Sequence, residues 1–342
     1  MSERLPSVSV VMPTYNRREL LPRVVEPLLA DPGASEVVVV VDGCVDGSIE
    51  WLRERALADE RLRPLFISNR GENGARLAGI EAARGDVVLM LDDDVEAFPG
   101  LARGHARRHA RGPGRVVVGY MPPHVPGARR PGDFTTRLYA REYEAVCRMY
   151  ERRPGSVLRS LWAGNLSMRR EDCLRVMGAG AAPALAYHAD RELGLRCLKA
   201  GLRGEFDRSL RATHLHERTL AGFARDSRAQ GEGSATLHTL HGDILGPLPG
   251  DAFAEGLPAP VEAWLRLCRR PRAAGASSSV LRGAVRAAGA ARAWGAEELA
   301  GRLLRRVEQQ RGAIEAGGAA AAARPRRHSL RGGAARRTEA AA

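Results

Sequence analysis

Three consecutive aspartates, Asp92, Asp93 and Asp94, follow an apolar run at residues 87–91. Adjacent carboxylates repel one another, and holding them beside a buried strand is costly unless a cation neutralises them. Hard divalent ions such as Mg²⁺ and Mn²⁺ take oxygen ligands and commonly bridge one or two carboxylates to substrate phosphates. The cluster therefore indicates a metal–phosphate site. An acidic turn that merely leaves a strand is the alternative.

Two further polar clusters follow apolar runs. Residues 8–12 lead into Pro13, Thr14, Tyr15 and Asn16, and residues 37–41 lead into Asp42 and Gly43. Continuous apolar runs predict strands covered on both faces, and hence an α/β fold with a mostly parallel sheet flanked by helices. Ligands of such sheets bind beyond the carboxyl ends of the strands, so we expect the three clusters to meet in one crevice. The first loop lacks the glycines of a dinucleotide-binding G-x-G-x-x-G turn.

Other residues that could take part in catalysis or binding also have ordinary structural explanations. Asp190 opens a predicted helix over 190–200, where it is either a general base or an N-cap. His105 and His109 lie one helical turn apart among arginines, which favours a solvated basic helix over a metal pair. Trp162 is suited to stacking on a sugar or to packing in a core.

Composition excludes several classes of protein. The five cysteines are odd in number and widely spaced, so neither a disulfide framework nor a zinc site is indicated. The chain has no apolar stretch of membrane-spanning length, and its start does not resemble a signal peptide, so we expect a cytoplasmic protein without a transmembrane segment. Its net charge of +13 is almost all arginine, and aromatic content is 5%, which disfavours specific nucleic-acid binding.

The order and spacing of the motifs resemble the family 2 glycosyltransferases of GT-A fold. The matching segments are VVMPTYNR (10–17), VDG (41–43), NRGENGARLAGI (69–80), LMLDDD (89–94), AGNLSMR (163–169) and ADRELGLR (189–196). The resemblance extends from about Val8 to His216. It implies a Rossmann-like donor half over 1–115 and an acceptor-binding, catalytic half over 116–225. We expect a helical C-terminal region over 226–310 and a disordered Ala/Gly/Arg-rich tail over 311–342.

The resemblance also implies roles for individual residues. Asp190 matches the catalytic base, and Asp94, Asp92 and His216 match positions around a bound Mn²⁺ or Mg²⁺. The remaining donor-site positions are Pro13, Thr14, Tyr15, Asn16, Asp42, Arg76, Asp93, Gly164 and Asn165, with Asp92 also facing the ribose. Two departures concern the site. Cys44 replaces a common serine, and Ala189 replaces the glutamate that usually precedes the base, for which His188 is a candidate substitute.

These inferences predict an inverting enzyme. It would transfer one sugar from a nucleotide diphosphate sugar, with a UDP-sugar favoured, to a hydroxyl acceptor that is a saccharide, a lipid-linked molecule or a natural product. A single carboxylate base suits inversion better than double displacement. The alternatives are a catalytically weak sugar-nucleotide-binding protein and, with less support, a sugar-1-phosphate nucleotidylyltransferase. Peripheral contact with the inner membrane face also remains open.

Overall fold

A mixed sheet forms the centre of the protein. The structure, a computed structural model, describes residues 5–178 and 185–323. The strands in this part of the chain are β1 (Val8–Thr14), β2 (Glu36–Asp42), β3 (Leu62–Ile67), β4 (Val87–Leu91), β5 (Val95–Ala97), β6 (Arg115–Tyr120), β7 (Asn165–Arg169) and β8 (Arg203–His214). Their spatial order is β3-β2-β1-β4-β7-β6-β8-β5.

Helices cover the sheet, and further helices follow it at the C-terminal end of the chain. In the described ranges they are α1 (Leu21–Leu29), α2 (Ser48–Ala58), α3 (Gly71–Ala82), α4 (Leu101–His109), α5 (Phe134–Arg152), α6 (Arg170–Met177), α7 (Ala189–Lys199), α8 (Leu220–Leu240), α9 (Gly242–Leu245), α10 (Ala259–Leu267), α11 (Pro271–Ala290) and α12 (Trp294–Ala323). Two short 3₁₀ turns, Pro154–Ser156 and Leu158–Ser160, connect α5 to β7. Within the described residues, no helix has the length and apolar character needed to cross a bilayer.

Burial on both faces explains the apolar runs of the first strands. Every residue of β2 is buried, with Val37, Val39 and Val41 in the core on one face and Val38 and Val40 in the core on the other. Strand β1 pairs in parallel with β2 and β4, and β2 pairs in parallel with β3. The predicted parallel sheet of this half is therefore confirmed, and the polar clusters follow its carboxyl edge.

Two antiparallel pairings bring later segments to that edge. Strand β7 runs opposite to β4, with Asn165 paired to Leu91, so the residues just before β7 lie beside Asp92. Strand β5 pairs with β8, with Val95 opposite His214. Segments that are distant in sequence thus meet the aspartates through backbone hydrogen bonding rather than through flexible loops.

The predicted solvated helix around His105 is wrong. Both His105 and His109 are fully buried on α4. The His105 ring contacts Ser167 Oγ at 2.7 Å and Asn165 Oδ1 at 3.0 Å, and His109 contacts Ser167 Oγ at 2.9 Å. Burial lowers the pKa of His105 to about 3 and that of His109 to about 4, so both are neutral polar links between α4 and β7.

The C-terminal helices pack at very short range. A Cβ atom at Gly231 of α8 would lie 1.8 Å from the Gln309 carbonyl oxygen, and one at Gly312 of α12 would lie 1.9 Å from the Arg228 carbonyl oxygen. The structure therefore differs from the predicted disorder of 311–342, because α12 continues to Ala323. Glycine at the contact permits close approach and alanine is a strong helix former. Residues 324–342 lie outside the described part of the chain.

We predict that Gly231→Ala destabilises the fold by about 1–3 kcal/mol, because the added methyl group has no room against α12. Gly283→Ala, on α11 with open space around its Cβ, is the matched control and is expected to stabilise slightly through helix propensity. Urea unfolding of both variants measures the difference. Equal stability of the two would contradict this description of the α8–α12 contact.

Candidate active site

A cleft of about 1430 Å³ lies along the carboxyl ends of β1, β2 and β4 and continues to α7, α8 and α12. Most of the residues predicted for the site line it. They are Pro13, Thr14, Tyr15, Asp42, Arg76, Asp92, Asp93, Asp94, Asp190 and His216. The sheet topology therefore brings the three polar clusters together with the candidate base, as the sequence predicts.

Asp92 is neutralised by a buried arginine. Arg76, on α3, forms an ion pair with Asp92 Oδ1 and a second one with Glu72 at 2.8 Å. The backbone of Gly164 lies against the other carboxylate oxygen, because a Cβ atom added to Gly164 would lie 2.6 Å from Asp92 Oδ2. Gly164 also has a φ of 110°, which L-residues rarely adopt. A glycine at this position is thus required by the carboxylate beside it.

Asp93 forms its side-chain hydrogen bond with β1. Its Oδ2 accepts a hydrogen bond from Thr14 Oγ1 at 2.8 Å, which joins the ends of β4 and β1. Burial raises the pKa of Asp93 to about 6, with smaller contributions from the neighbouring aspartates. The hydrogen bond between Asp93 and Thr14 therefore connects two strand ends that line the cleft.

Asp94 faces a histidine. Its Oδ1 lies 3.2 Å from His214 Nε2, and Arg17 approaches its Oδ2 at 4.0 Å. The Tyr139 hydroxyl lies 3.1 Å from His214 Nδ1 and can donate to it, which leaves the Nε2 proton for Asp94. Burial raises the pKa of Asp94, but the hydrogen bond from His214 and the nearby positive charge of Arg17 hold it below its usual value. Asp94 is consequently an ionised carboxylate in a largely enclosed position.

His216 fits the requirements of a metal ligand. Its ring stacks on Tyr139 with 4.4 Å between centroids, and its buried Nδ1 has no hydrogen-bond partner in the described structure. Burial and the neighbouring His214 lower its pKa to about 4, so the ring is neutral near neutral pH. Metal ligation needs a deprotonated imidazole and an ionised carboxylate, and His216 and Asp94 supply one of each. Among the described residues, no three His, Cys, Asp or Glu side chains form a complete metal site.

The loops after β1 and β2 shape the remaining donor side. Asp42 is buried and its Oδ1 accepts from the Arg70 amide at 2.7 Å, leaving Oδ2 without a hydrogen bond among the described residues. Tyr15 is 52% exposed and lines the same cleft. A carboxylate oxygen with spare acceptor capacity and an exposed ring suit a base or ribose.

Asn16 and Cys44 connect these two loops. Asn16 Oδ1 accepts from the Val45 amide at 2.9 Å, and the Asn16 amide donates to Cys44 Sγ at 3.2 Å. The Cys44 thiol also lies 3.5 Å from the Thr14 carbonyl oxygen. The sulfur thus makes loop contacts at the position where the family commonly has a hydroxyl, and Asn16 shapes the loop from outside the cleft lining.

Asp190 lies at the start of α7, beside the segment that contacts Asp92. Its Oδ2 accepts from the Ala163 amide at 3.2 Å and its Oδ1 from the Arg191 amide at 2.8 Å. Burial raises the pKa of Asp190 to about 6, against the lowering effect of these hydrogen bonds and of Arg76. A carboxylate that titrates near 6 in a cleft is well placed to take a proton near neutral pH.

His188, two residues before the candidate base Asp190, makes its side-chain contact with α8. It adopts a left-handed backbone conformation with a φ of 71°, and its Nε2 contacts Ser234 Oγ at 3.2 Å. Burial lowers the pKa of His188 to about 4. His188 therefore supports α8, whereas the environment of Asp190 comes from burial, from the Ala163 and Arg191 amides and from Arg76.

Asn165 has a different role from the predicted one. It is 1% exposed, and its amide nitrogen donates to the Leu210 carbonyl oxygen at 3.1 Å while its oxygen contacts His105. Both polar atoms are engaged within the fold, so a contact with the donor is not supported. Trp162, by comparison, lines the cleft and packs edge-on against Tyr139 at 5.1 Å.

Sequence reasoning missed several cleft residues. The sequence pattern assigns no role to His214, yet its Nε2 lies 3.2 Å from Asp94 Oδ1. The Tyr139 ring contacts both histidine rings, and Arg17 approaches Asp94 from the first loop. Only the pairing of β5 with β8 reveals the role of His214, because that pairing joins segments more than one hundred residues apart.

Comparison with known proteins agrees with this geometry. The sequence profile of the family described as "Glycosyl transferase family 2" matches residues 9–173. The chain is 35% identical over 117 residues to the succinoglycan biosynthesis protein ExoO of Rhizobium meliloti, covering 34% of the chain and 33% of that protein. It is 39% identical over 105 residues to an undecaprenyl-phosphate 4-deoxy-4-formamido-L-arabinose transferase of Pectobacterium carotovorum, covering 29% of the chain and 32% of that protein. The matched segments thus span about a third of the length of these relatives.

A solved structure resembles the chain over most of its length. It is a mannosyltransferase from Pyrobaculum calidifontis in complex with GDP-Man and Mn²⁺, with a TM-score of 0.56, 19% identity, and coverage of 90% of this chain and 87% of that one. At that identity the similarity concerns the fold, and it confirms the predicted GT-A architecture. The ordered strand ends, the profile match and this fold lead to one conclusion: residues 9–173 of the chain form a domain of the family 2 glycosyltransferases.

Proposed function

We propose that this protein transfers a single sugar from a nucleotide diphosphate sugar to an acceptor hydroxyl, with inversion at the anomeric carbon. The observation that carries the proposal is the contact of one short backbone segment with two carboxylates. The Ala163 amide holds Asp190, and the adjacent Gly164 lies against Asp92. The candidate base and the end of β4 are thereby fixed relative to each other within one cleft.

The donor side supports a nucleoside diphosphate. Asp42 offers a carboxylate oxygen to a base N–H or ribose hydroxyl, and Tyr15 offers an exposed ring in the same cleft. Arg76 and Arg17 place positive charge near the aspartates, where the diphosphate would lie. A UDP-sugar is the first donor to test. GDP-mannose is the second, because the structurally similar mannosyltransferase binds GDP-Man.

Asp94 and His216 would hold a divalent cation, Mn²⁺ or Mg²⁺, and the substrate would complete its coordination. Bound there, the cation would supply Lewis-acid stabilisation of the charge that develops on the departing diphosphate. Asp92 contributes mainly through the ribose side, since Arg76 already neutralises it. The mannosyltransferase of similar fold contains Mn²⁺.

The chemical step follows from the position of Asp190. Its carboxylate accepts the proton of the acceptor hydroxyl while the hydroxyl oxygen forms a bond to the anomeric carbon. The bond between that carbon and the diphosphate oxygen breaks on the opposite face, and the nucleoside diphosphate leaves with its electron pair. One base and one in-line displacement give an inverted product without a covalent sugar–enzyme intermediate.

We predict that Asp190→Asn lowers kcat by roughly 10²–10⁴-fold, because the amide cannot accept the hydroxyl proton. Calorimetric affinity for UDP with Mn²⁺ should remain unchanged. Glu171→Gln, an exposed change at the start of α6, is the control and should retain wild-type activity. Full activity of Asp190→Asn would exclude Asp190 as the base.

The pKa of Asp190 sets a pH dependence. Its raised pKa of about 6 means that the base is ionised above that pH and becomes protonated below it. We expect kcat/KM to rise with pH, to reach half its maximum near pH 6 and to level off above. Because the pKa of Asp93 is also raised to about 6, Asp93→Asn provides the comparison. If the midpoint of kcat/KM near pH 6 disappears in Asp93→Asn, the titrating group is Asp93 and not Asp190.

Asp94→Asn tests the metal. We expect Mn²⁺ to increase the affinity of the wild type for UDP. In Asp94→Asn this increase should be at least roughly tenfold smaller, because a charge-assisted contact contributes about 1.5–3 kcal/mol. Glu96→Gln, two residues further and paired with Arg23 at the surface, is the control. Titrations with and without EDTA measure the effect, and an unchanged Mn²⁺ dependence in Asp94→Asn would refute the assignment.

A further inference from the structure

The part of the cleft formed by α7, α8 and α12 is strongly basic. Its lining includes five arginines, namely Arg191, Arg218, Arg302, Arg305 and Arg306. Two carboxylates other than the base, Glu142 and Asp226, line the same part. The strand ends, by contrast, contribute mostly aspartates. The cleft is thus acidic where the donor and its cation would lie and basic where α12 forms the wall.

Among the described residues, three of these arginines form no ion pair, and one of the three, Arg191, donates to the Arg159 carbonyl oxygen at 3.1 Å instead. Arg305 pairs with Glu142 and lies 5.0 Å from the Phe223 ring centroid, and Arg218 pairs with Asp226 at 3.0 Å. Arg302 and Arg306 have neither an ion pair nor a side-chain hydrogen bond within the described residues. They lie one helical turn apart on α12, where like charges repel each other. Burial and the neighbouring arginines lower the pKa of Arg306, against the raising effect of Glu142.

The two arginines belong to one face of α12. Leu299, Arg302, Leu303 and Arg306 follow the i, i+3, i+4, i+7 pattern of a single helix face, and all four line the cleft. Nearby, Gln309 of the same helix donates to Gln230 of α8 at 2.9 Å, and both side chains also line the cleft. This face therefore lines the open side of the cleft, where Leu299 is 58% exposed and Arg302 is exposed as well.

The same wall belongs to the cleft that contains the candidate base. Arg302, Arg306 and Asp190 all line this cleft, and so does Tyr187, which precedes α7. Burial raises the pKa of Tyr187, Asp190 raises it further, and Arg305 lowers it. A group bound at the arginines would consequently share one cleft with the hydroxyl that Asp190 deprotonates.

We propose that Arg302 and Arg306 bind a phosphate group carried by the acceptor, so that the enzyme selects phosphorylated acceptors. A phosphate monoester brings nearly two negative charges and three acceptor oxygens, which match two unpaired guanidinium groups better than a carboxylate does. The donor diphosphate has its own partners at the strand ends. The assignment of the phosphate to the acceptor rests on the proposed function, whereas the binding site itself does not.

The test is direct binding to the full-length protein, without turnover. The soluble probe is sn-glycerol 3-phosphate, with glycerol as its neutral counterpart, followed by NMR titration at low ionic strength. The lipid probe is phosphatidylcholine vesicles with and without phosphatidic acid, followed by co-sedimentation. We expect the double variant Arg302→Gln/Arg306→Gln to lose at least about tenfold in affinity for the phosphate probe that the wild type binds. The probe that binds identifies a soluble or a lipid-borne phosphate as the source.

Arg272→Gln/Arg286→Gln removes two exposed arginines from α11 and is the matched control for net charge. It should bind the phosphate probe like the wild type. UDP binding with Mn²⁺ is measured in parallel. The proposal is overturned if the wild type binds neither phosphate probe, if both double variants behave alike, or if Arg302→Gln/Arg306→Gln weakens UDP binding equally. Failure of UDP to bind the wild type, with phosphate binding still dependent on Arg302 and Arg306, would refute the proposed function and leave this site intact.

Discussion

Negative charge gathered at one end of the sheet is the constraint on which the rest of this structure depends. Each carboxylate there is compensated in a different way. Asp92 has the guanidinium of Arg76, Asp94 has the imidazole of His214, and Asp190 has two backbone amides. Because the compensation differs, the pKa of Asp94 is lowered while that of Asp190 is raised to about 6. One cleft thus contains a carboxylate that is ionised near neutral pH and another that titrates near pH 6.

These compensating groups account for much of the fold beyond the parallel sheet. The reversed strand β7 brings Gly164 against Asp92, and no side chain fits between them. The pairing of β5 with β8 places His214 beside Asp94. Tyr139 of α5 contacts the other ring nitrogen of His214 and orients the imidazole. Removing any one of these elements would leave a carboxylate buried without its partner, which is among the more expensive defects a protein can carry.

The sequence predicts the fold correctly where the local hydrophobic pattern and the sheet topology indicate the same arrangement. The apolar runs of β1, β2 and β4 end in polar residues, and parallel strands align those ends, so the cleft could be predicted. The sequence-based prediction fails where tertiary packing decides. His105 and His109 have polar neighbours in sequence but form buried hydrogen bonds to Ser167, and Asn165 is engaged by the same buried network. The short strands β3 and β5 and the helical extent of α12 also depend on partners that no local window contains.

The glycine contact between α8 and α12 determines how adaptable the cleft is. Gly231 and Gly312 bring each helix against the backbone of the other, so main-chain contact blocks any closer approach of the two helices. The helix that carries Arg302 and Arg306 is therefore held against α8 by backbone as well as side-chain contacts. The entropy of ordering this wall is lost during folding, so a ligand on this side would meet a preorganised surface.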